Sequence, residues 1–341
     1  MLPSKTVHAL PFAAIALLFA AYFVFWRGVH EPLTVYCAHD SIYADKILRD
    51  FEKETGIHVS VRYDTEATKS LGLVELLMAE KNAPRCDLFW NNELLGTLDL
   101  QEKGILEPYR GSGFARIPAA DKDPEGYWAG FAARMRVYIA NTDKMPETSE
   151  VVEKALAGDL SHFAIAKPIY GTTLTHYTVL WSLWGGDRLK AWHQDWRTRG
   201  VREMNGNAAV KDAVAQGACD LGFCDNDDFF EAKDDHKSVA MLPVKLENGA
   251  TICIPNTVAI IHGTRRLAGA QKLEDFLLSE KTELALACGP SRQIPLGPVD
   301  ANALPADVRQ LKEWTANAQP LSHLGKARAE CLAWLKSQYL Q

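Results

Sequence analysis

Hydrophobic and polar positions along the chain switch between two periods. Leu33–Cys37 is a short β-branched and aromatic run, and its spacing predicts a strand. Polar Ala38-His39-Asp40-Ser41 follows, then a helix over Ile42–Thr55 with Ile47, Leu48 and Phe51 on one stripe and Gly56 as its stop. His58–Tyr63 alternates like a strand. Ser70–Lys81 has Leu71, Val74, Leu77 and Met78 at helical spacing. Cys86–Trp90 reads as a third strand and Glu93–Lys103 as a helix closed by Gly104.

Tyr127–Thr142 predicts extended strands that cross between two halves. The pattern then restarts: strand 163–166, a turn at Pro168–Thr173, and helices over Leu174–Trp184, Asp187–Arg199 and Ala208–Gln216. A strand over Asp220–Cys224 ends in the acidic loop Asp225-Asn226-Asp227-Asp228. Strands are predicted at Ser238–Val244, Thr251–Ile254 and Val258–Ile261, and helix from Asp307 onward. Strand and helix alternating with short connections is the signature of parallel sheet covered by helices, whose ligands bind at the carboxyl ends of the strands. No linker separates the halves, which implies several chain crossings or a tight hinge.

Ala9–Trp26 is 18 residues without a charge, preceded by Lys5 and followed by Arg27. That length borders on a spanning helix, and the Tyr-Phe-Val-Phe-Trp before Arg27 is a poor cleavage context. The expectation is an export signal retained as an N-terminal anchor, with the rest of the chain periplasmic, on the extracytoplasmic face. The 341 residues suit two domains. The net charge is −6, and −8 for residues 31–341, which argues against nucleic acid as a partner. Seven cysteines, most of them inside apolar runs such as Ile252-Cys253-Ile254, read as buried small hydrophobes.

The acidic loop 225–228 suits a hard cation, an ammonium or a hydroxyl-rich ligand, and equally a helix N-cap. Gly171-Thr172-Thr173 precedes a helix and suits an anion, or a Thr cap alone. Asn207 opens another helix as cap or ligand contact. His39 and Asp40 sit at a strand-to-helix turn, where His39 is a candidate metal ligand or ligand contact and Asp40 a candidate cap. Nucleophile-elbow, zinc-protease, P-loop and dinucleotide fingerprints are missing.

Taken together the chain resembles the bacterial solute-binding proteins that feed ABC importers, in the class of ferric-iron, thiamine, polyamine and phosphorylated-solute binders. The segments that carry the resemblance are LTVYCAHD (33–40), DFEKETGIHVSVRY (50–63), APRCDLFWNNE (83–93), GILEPY (104–109), ARMRVYIANT (133–142), PIYGTTLTH (168–176), NAAVKDAVAQGACDLGFCDNDD (207–228), IPNTVAIIHG (254–263) and SRQIPL (291–296). The resemblance implies an α/β fold of periplasmic-binding-protein type II, two lobes closing like a Venus flytrap. Residues 31–133 with 258–306 would form lobe 1, residues 134–257 with 307–341 lobe 2, and residues 1–30 the anchor segment.

It also implies a binding protein rather than an enzyme, a monomer that docks on an ABC permease, and a small-molecule or metal-ion ligand. In the ferric binders a histidine, a glutamate and two adjacent tyrosines hold iron. Those positions fall here at His39 or Asp40, at Asn92 with Glu93 beside it, and at Asp227 and Asp228. Both phenolates that give selectivity for ferric iron are therefore missing. The anion-holding turn matches Tyr170-Gly171-Thr172, with Asn207 and Asp225 nearby, and Arg134 matches a cleft arginine. The ligand set so implied is His39, Asp40, Asn92, Arg134, Gly171, Thr172, Thr173, Asn207, Asp225, Asp227 and Asp228. His39, Asp227 and Asp228 are candidates for a metal ion held with a synergistic anion. Two alternatives stand beside this reading: an exported hydrolase with Asp227 and Asp228 as acid and base, and an anchored ligand sensor.

Overall fold

The computed structural model describes residues 31–64 and 71–340. The expected anchor segment and Ser70 lie outside the described residues. The strand β1 (Leu33–Cys37) is almost wholly buried and pairs in parallel with β2 (Val59–Tyr63) and β3 (Leu88–Asn91), with Val35 opposite Val61 and Leu88. Its continuous apolar run fits a strand covered on both faces, whereas β2, at the edge, alternates half-buried with exposed. Helix α1 (Ser41–Thr55) buries Ala44, Ile47, Leu48 and Phe51, and ends at Gly56, whose φ of +70° closes it in the left-handed conformation.

Helix α2 (Leu71–Ala79) and α3 (Leu95–Glu102) complete this half, with the short β4 (Leu106–Glu107) and α4 (Ser112–Arg116). Strand β5 (Ala129–Asn141) is one 13-residue strand. It is followed by α5 (Ser149–Ala157), β6 (Phe163–Ala166), α6 (Gly171–Trp184), α7 (Gly186–Thr198), β7 (Arg202–Met204), α8 (Asn207–Ala215), β8 (Leu221–Asp225), α9 (Asn226–Asp234) and β9 (Val239–Pro243). Strand β10 (Cys253–Ile261) then returns, followed by α10 (Leu267–Leu277), α11 (Glu280–Cys288), α12 (Ala306–Trp314) and α13 (Gly325–Tyr339). The strand order is β2-β1-β3-β10-β5-β8-β6-β7, with β4 beside β10 and β9 beside β5.

The long strand β5 decides the architecture. Its first half pairs with β10, which pairs with β3; its second half pairs with β8 and β9. Two α/β lobes therefore share one strand, with β10 crossing beside it. Phe51, Trp90, Phe131 and Val258 lie in one core, and Val137, Ala164, Val210 and Phe230 in another. The two strands expected at 251–254 and 258–261 are the single β10. Pro255 is accommodated because the register slips there, the step from Phe131 to Arg134 on β5 spanning only Ile254 to Asn256 on β10. At the slip Ala132 has φ +43°, in the left-handed region.

Glu283, fully buried, holds this bulge. Its Oε1 accepts from Ala132 N–H at 3.0 Å and Leu296 N–H at 2.8 Å, and its Oε2 from Gly297 N–H at 3.0 Å and an Arg116 nitrogen at 2.6 Å. The seven cysteines are unbridged thiols. Cys37, Cys86, Cys219, Cys224 and Cys331 are buried, Cys253 is half-buried and Cys288 is exposed.

Helix α13 docks on α6 and α7 through His193, whose Nδ1 meets Tyr177 Oη and whose Nε2 meets Tyr339 Oη, both at 3.0 Å. Burial, and then the Arg197 charge, push the His193 pKa down from 6.5 to about 4. The folded state thus keeps this imidazole neutral. Its contribution is complete above pH 6.5 and is lost as pH falls from about 6.5 to about 4, because the unfolded chain takes the proton first. The full loss is ~3 kcal/mol. His193→Gln should flatten the acid limb of stability against pH across that window in urea titrations. Two further substitutions bear on the bulge. Glu283→Leu strands Arg116 and three N–H groups and should lower unfolding free energy by about 3–5 kcal/mol, with Glu283→Gln intermediate, measured the same way.

Candidate functional site

Five strand-to-helix turns meet at one cavity between the lobes, which with the solvent at its open mouth takes in about 480 Å³. From lobe 1 come Asp40, at the N-cap position of α1, and Asn92, after β3. From lobe 2 come Lys167 to Thr173 between β6 and α6, Asn205 to Asn207 between β7 and α8, and Asp225, Asp227 and Asp228 at the start of α9. Arg134, on the shared strand, closes the floor. Of the residues the sequence singles out, Asp40, Asn92, Arg134, Gly171, Thr172, Thr173, Asn207, Asp225, Asp227 and Asp228 all line this one cavity.

His39 does not. It is buried behind the wall between the Tyr43 and Trp90 rings, with centroids at 5.7 and 5.4 Å, and its Nε2 lies 2.9 Å from the Gln293 amide nitrogen. The apolar packing of β1 against its neighbours turns this ring inward while Asp40 faces the cavity. Glu93 is also turned away. Its carboxylate caps α3, accepting from Leu95 N–H and, at 2.7 Å, from Gly96 N–H, and it receives Thr175 Oγ1 at 3.3 Å from the other lobe. That cap delays the helix expected from Glu93 until Leu95.

Two local expectations change with the geometry. The turn expected through Thr173 is helix from Gly171, whose φ of +52° starts α6 abruptly after β6. The acidic loop is not a loop but the cap and first turn of α9. Asp225 is the N-cap of a capping box, in which Asp228 Oδ2 accepts from Asp225 N–H at 3.2 Å. Asn226, wholly buried, reaches the shared strand: Met135 N–H donates to its Oδ1 at 2.7 Å.

Beneath the cavity lies the fully buried Arg136, which sequence reading missed. An Arg-Met-Arg alternation in an otherwise apolar strand was the available signal, since residues two apart share a face. Arg136 Nη1 donates to Asp225 Oδ1 at 2.7 Å, Asn207 Oδ1 at 3.2 Å and Thr172 Oγ1 at 3.3 Å. Thr172 Oγ1 and Asn207 Nδ2 donate in turn to Asp225 Oδ2 at 2.6 and 3.1 Å, and Thr173 Oγ1 to Asn207 Oδ1 at 3.2 Å. One network thus ties together the N-termini of α6, α8 and α9. The N–H groups and dipoles at the starts of α6 and α8 favour an anion, whereas the first turn of α9 is capped by its own Asp225 and Asp227. Lys167, which donates to Asn205 Oδ1 at 3.1 Å, adds a full positive charge, and it too was missed.

Beside this network, and sharing Asp225 with it, the wall is acidic. Oxygens of Asp225, Asp227 and Asp228 lie within 4.8 Å of one another. Both Asp225 oxygens accept bonds from the network, so the charge that this wall presents to the cavity comes from Asp227 and Asp228, with Asp40. Burial works against charge on Arg134, yet Asp227, Asp225, Asp40 and Asp228 outweigh it and hold its pKa above the usual guanidinium value. An Arg134 nitrogen donates to the Asn92 carbonyl, a contact between the shared strand and lobe 1. Burial, then Asp227 and Asp228, raise the Tyr43 phenol far above its usual pKa, so it stays protonated. Burial and then Arg136 keep His176 neutral, well below its usual value.

The sequence profile described as "Bacterial extracellular solute-binding protein" matches residues 33–287. The chain belongs to this family. It is the binding component of an ABC-type importer, in a family of binding proteins rather than enzymes. "Iron uptake protein A1" of Synechocystis is 24% identical over 317 residues, covering 89% of this chain and 85% of that one. Iron-bound HitA of Pseudomonas aeruginosa superposes with a TM-score of 0.78 at 21% identity, over 90% of this chain and 98% of that one. AfuA of Actinobacillus pleuropneumoniae, with fructose-6-phosphate bound, superposes with 0.75 at 18% identity over the same shares. The fold is that of the type II periplasmic binding proteins.

Cutting Arg136 out of the network should be costly. Arg136→Met leaves Asp225 buried without its cation and should destabilise the protein by about 3–5 kcal/mol. Adding Asp225→Asn should recover part of that loss, a non-additivity readable in urea denaturation of the two single variants and the double.

Proposed function

We propose that this solute-binding protein captures a small organic solute carrying an anionic group at one end and an amine or other positive centre at the other. The observation that carries this reading is the polarity of one cavity. The N-termini of α6 and α8 line one part of it with Lys167, and Asp40, Asp227 and Asp228 line another. The anion would sit on Thr172, Thr173 and the N–H groups near Asn207, and the positive end on the carboxylates, with Asn92 and Arg134 fixing its orientation. Such a ligand replaces water at both walls without leaving either charge unmatched.

The second reading is a metal ion held with a synergistic anion, iron above all. It is supported by the iron-uptake relative and by carboxylate oxygens suited to a hard cation. Against it stand Asp227 and Asp228 in the positions where the ferric binders carry tyrosines, and His39 behind the wall.

The protein would work as a monomer on the extracytoplasmic face, tethered by residues 9–26 and passing its ligand to an ABC permease. Its lobes would be 31–133 with 258–306 and 134–257 with 307–341.

Asp227→Asn with Asp228→Asn keeps an oxygen for the Asp225 N–H cap while removing both charges. Removing two charge-assisted hydrogen bonds to the solute corresponds to a fall in affinity of about 100-fold. Calorimetry with O-phosphoethanolamine and with ferric citrate, on the native and doubly substituted proteins, checks this. The expected result is tight binding of the amine phosphate by the native protein and binding about 100-fold weaker by the double variant. Binding of ferric citrate alone would select the second reading, and affinity untouched by the substitutions would remove the acidic wall from the site.

A further inference from the structure

The solute-facing loops of the two lobes are wired to the hinge, and the wire is one short segment, Ser291–Ile294. Ile294 and Ala133 exchange N–H to carbonyl bonds at 2.8 Å in both directions, so this segment lies directly on the bulge of β5. From lobe 1, His39, next to Asp40, meets Gln293 at 2.9 Å. The Gln293 oxygen accepts from Asn256 Nδ2 at 2.9 Å, and the same Asn256 nitrogen donates to the Ala132 carbonyl at 2.5 Å. From lobe 2, Asn226, between Asp225 and Asp227, accepts from Met135 N–H at 2.7 Å and donates to the Arg292 carbonyl at 3.2 Å.

The bond directions in this chain are fixed. The Ala132 N–H is taken by Glu283 and its carbonyl faces Asn256, so Asn256 must present its amide nitrogen, Gln293 its oxygen to Asn256, and therefore its nitrogen to His39. Gln293, Asn256 and Asn226 are each fully buried, and buried amides of this kind admit few alternative arrangements. Arg292 sits at φ +42° between the two connections, and its guanidinium is clamped by both Asp234 oxygens, at 2.7 and 2.8 Å, at the far end of α9. Two non-glycine residues in the left-handed region, Ala132 and Arg292, thus face one another's segments at the crossing.

We infer that Gln293 and Asn226 are positioning residues that couple the two cleft loops to the hinge, so that the loop at 38–41 and the turn at 225–228 shift together when the crossing strands bend. The inference rests on the proposed reading in taking those loops as the solute-facing ones. The coupling itself belongs to the ligand-free chain. Neither side chain has a direct bond to the loop of the opposite lobe: Gln293 touches His39 and Asn256, and Asn226 touches Met135 and Arg292.

Hydrogen exchange on the full-length, ligand-free protein tests it. Gln293→Met should speed amide exchange by about fivefold at 225–228, and Asn226→Leu should do the same at 38–41, each effect appearing across the hinge from the substitution. The double variant should add little to either. Exchange that changes only at 38–41 and 291–294 for Gln293→Met, or only at 225–228 and 135 for Asn226→Leu, would overturn the coupling. Should Asn226→Leu fail to fold, Asn226→Ala removes both the donor to Arg292 and the acceptor for Met135 with less change in bulk and is read the same way. No solute enters the measurement, so a wrong choice of ligand leaves its outcome intact.

Discussion

The buried pair between Arg136 and Asp225 is the constraint on which the cleft depends. Taking two charges out of water is expensive, and such a pair contributes little net stability against a well-packed apolar alternative. What it supplies is direction. Arg136 donates from Nη1 to three acceptors, and Asp225 has two oxygens, each with a defined partner. Through Thr172, Asn207 and Asp225 itself, that nitrogen and those oxygens fix where three helices begin. Without a charge at residue 136, the three N-termini would have no common anchor, and the positive end of the cavity would not be preorganised.

The second constraint is the sharing of β5. One strand that starts in one sheet and ends in another makes the lobes inseparable, yet leaves a single narrow crossing where they can bend. The bulge at Ala132 concentrates that bend. Its backbone groups are satisfied by Glu283 and Asn256 rather than by the β10 ladder. A hinge whose polar groups are met by side chains can adjust without exposing unpaired amides to a dry interior.

The family fold is kept, while the side chains around the cleft differ from those the resemblance implies for an iron site. The positions that resemble an iron site carry shorter, harder oxygen donors, and the glutamate beside one of them is committed to capping α3. The cavity is lined by a lysine and helix N-termini as well as by carboxylates, rather than by a cage of anionic ligands alone. Arg134, held charged by four aspartates, lines it too.

Much of the fold could be read from the chain, because strand and helix periods are local properties. Val35 and Phe51 declare their faces within a few residues, and so does Gly56. The order of elements and the two-lobed class followed from that, together with the resemblance to a known family. The turns that line the cavity were also legible, since polar residues after parallel strands sit at one sheet edge. Pairing and direction were not. That Thr251–Ile254 and Val258–Ile261 belong to one strand depends on a bulge in a partner more than a hundred residues away. That His39 points inward while Asp40 points out is decided by Trp90, Tyr43 and Gln293, which packing alone brings beside it. Arg136 and Lys167 escaped notice because a lone charge in or after an apolar strand carries no local sign of its partners. Those partners are supplied by Asp225 and Asn205, from other strands and turns, and only the closed tertiary arrangement puts them within hydrogen-bonding reach.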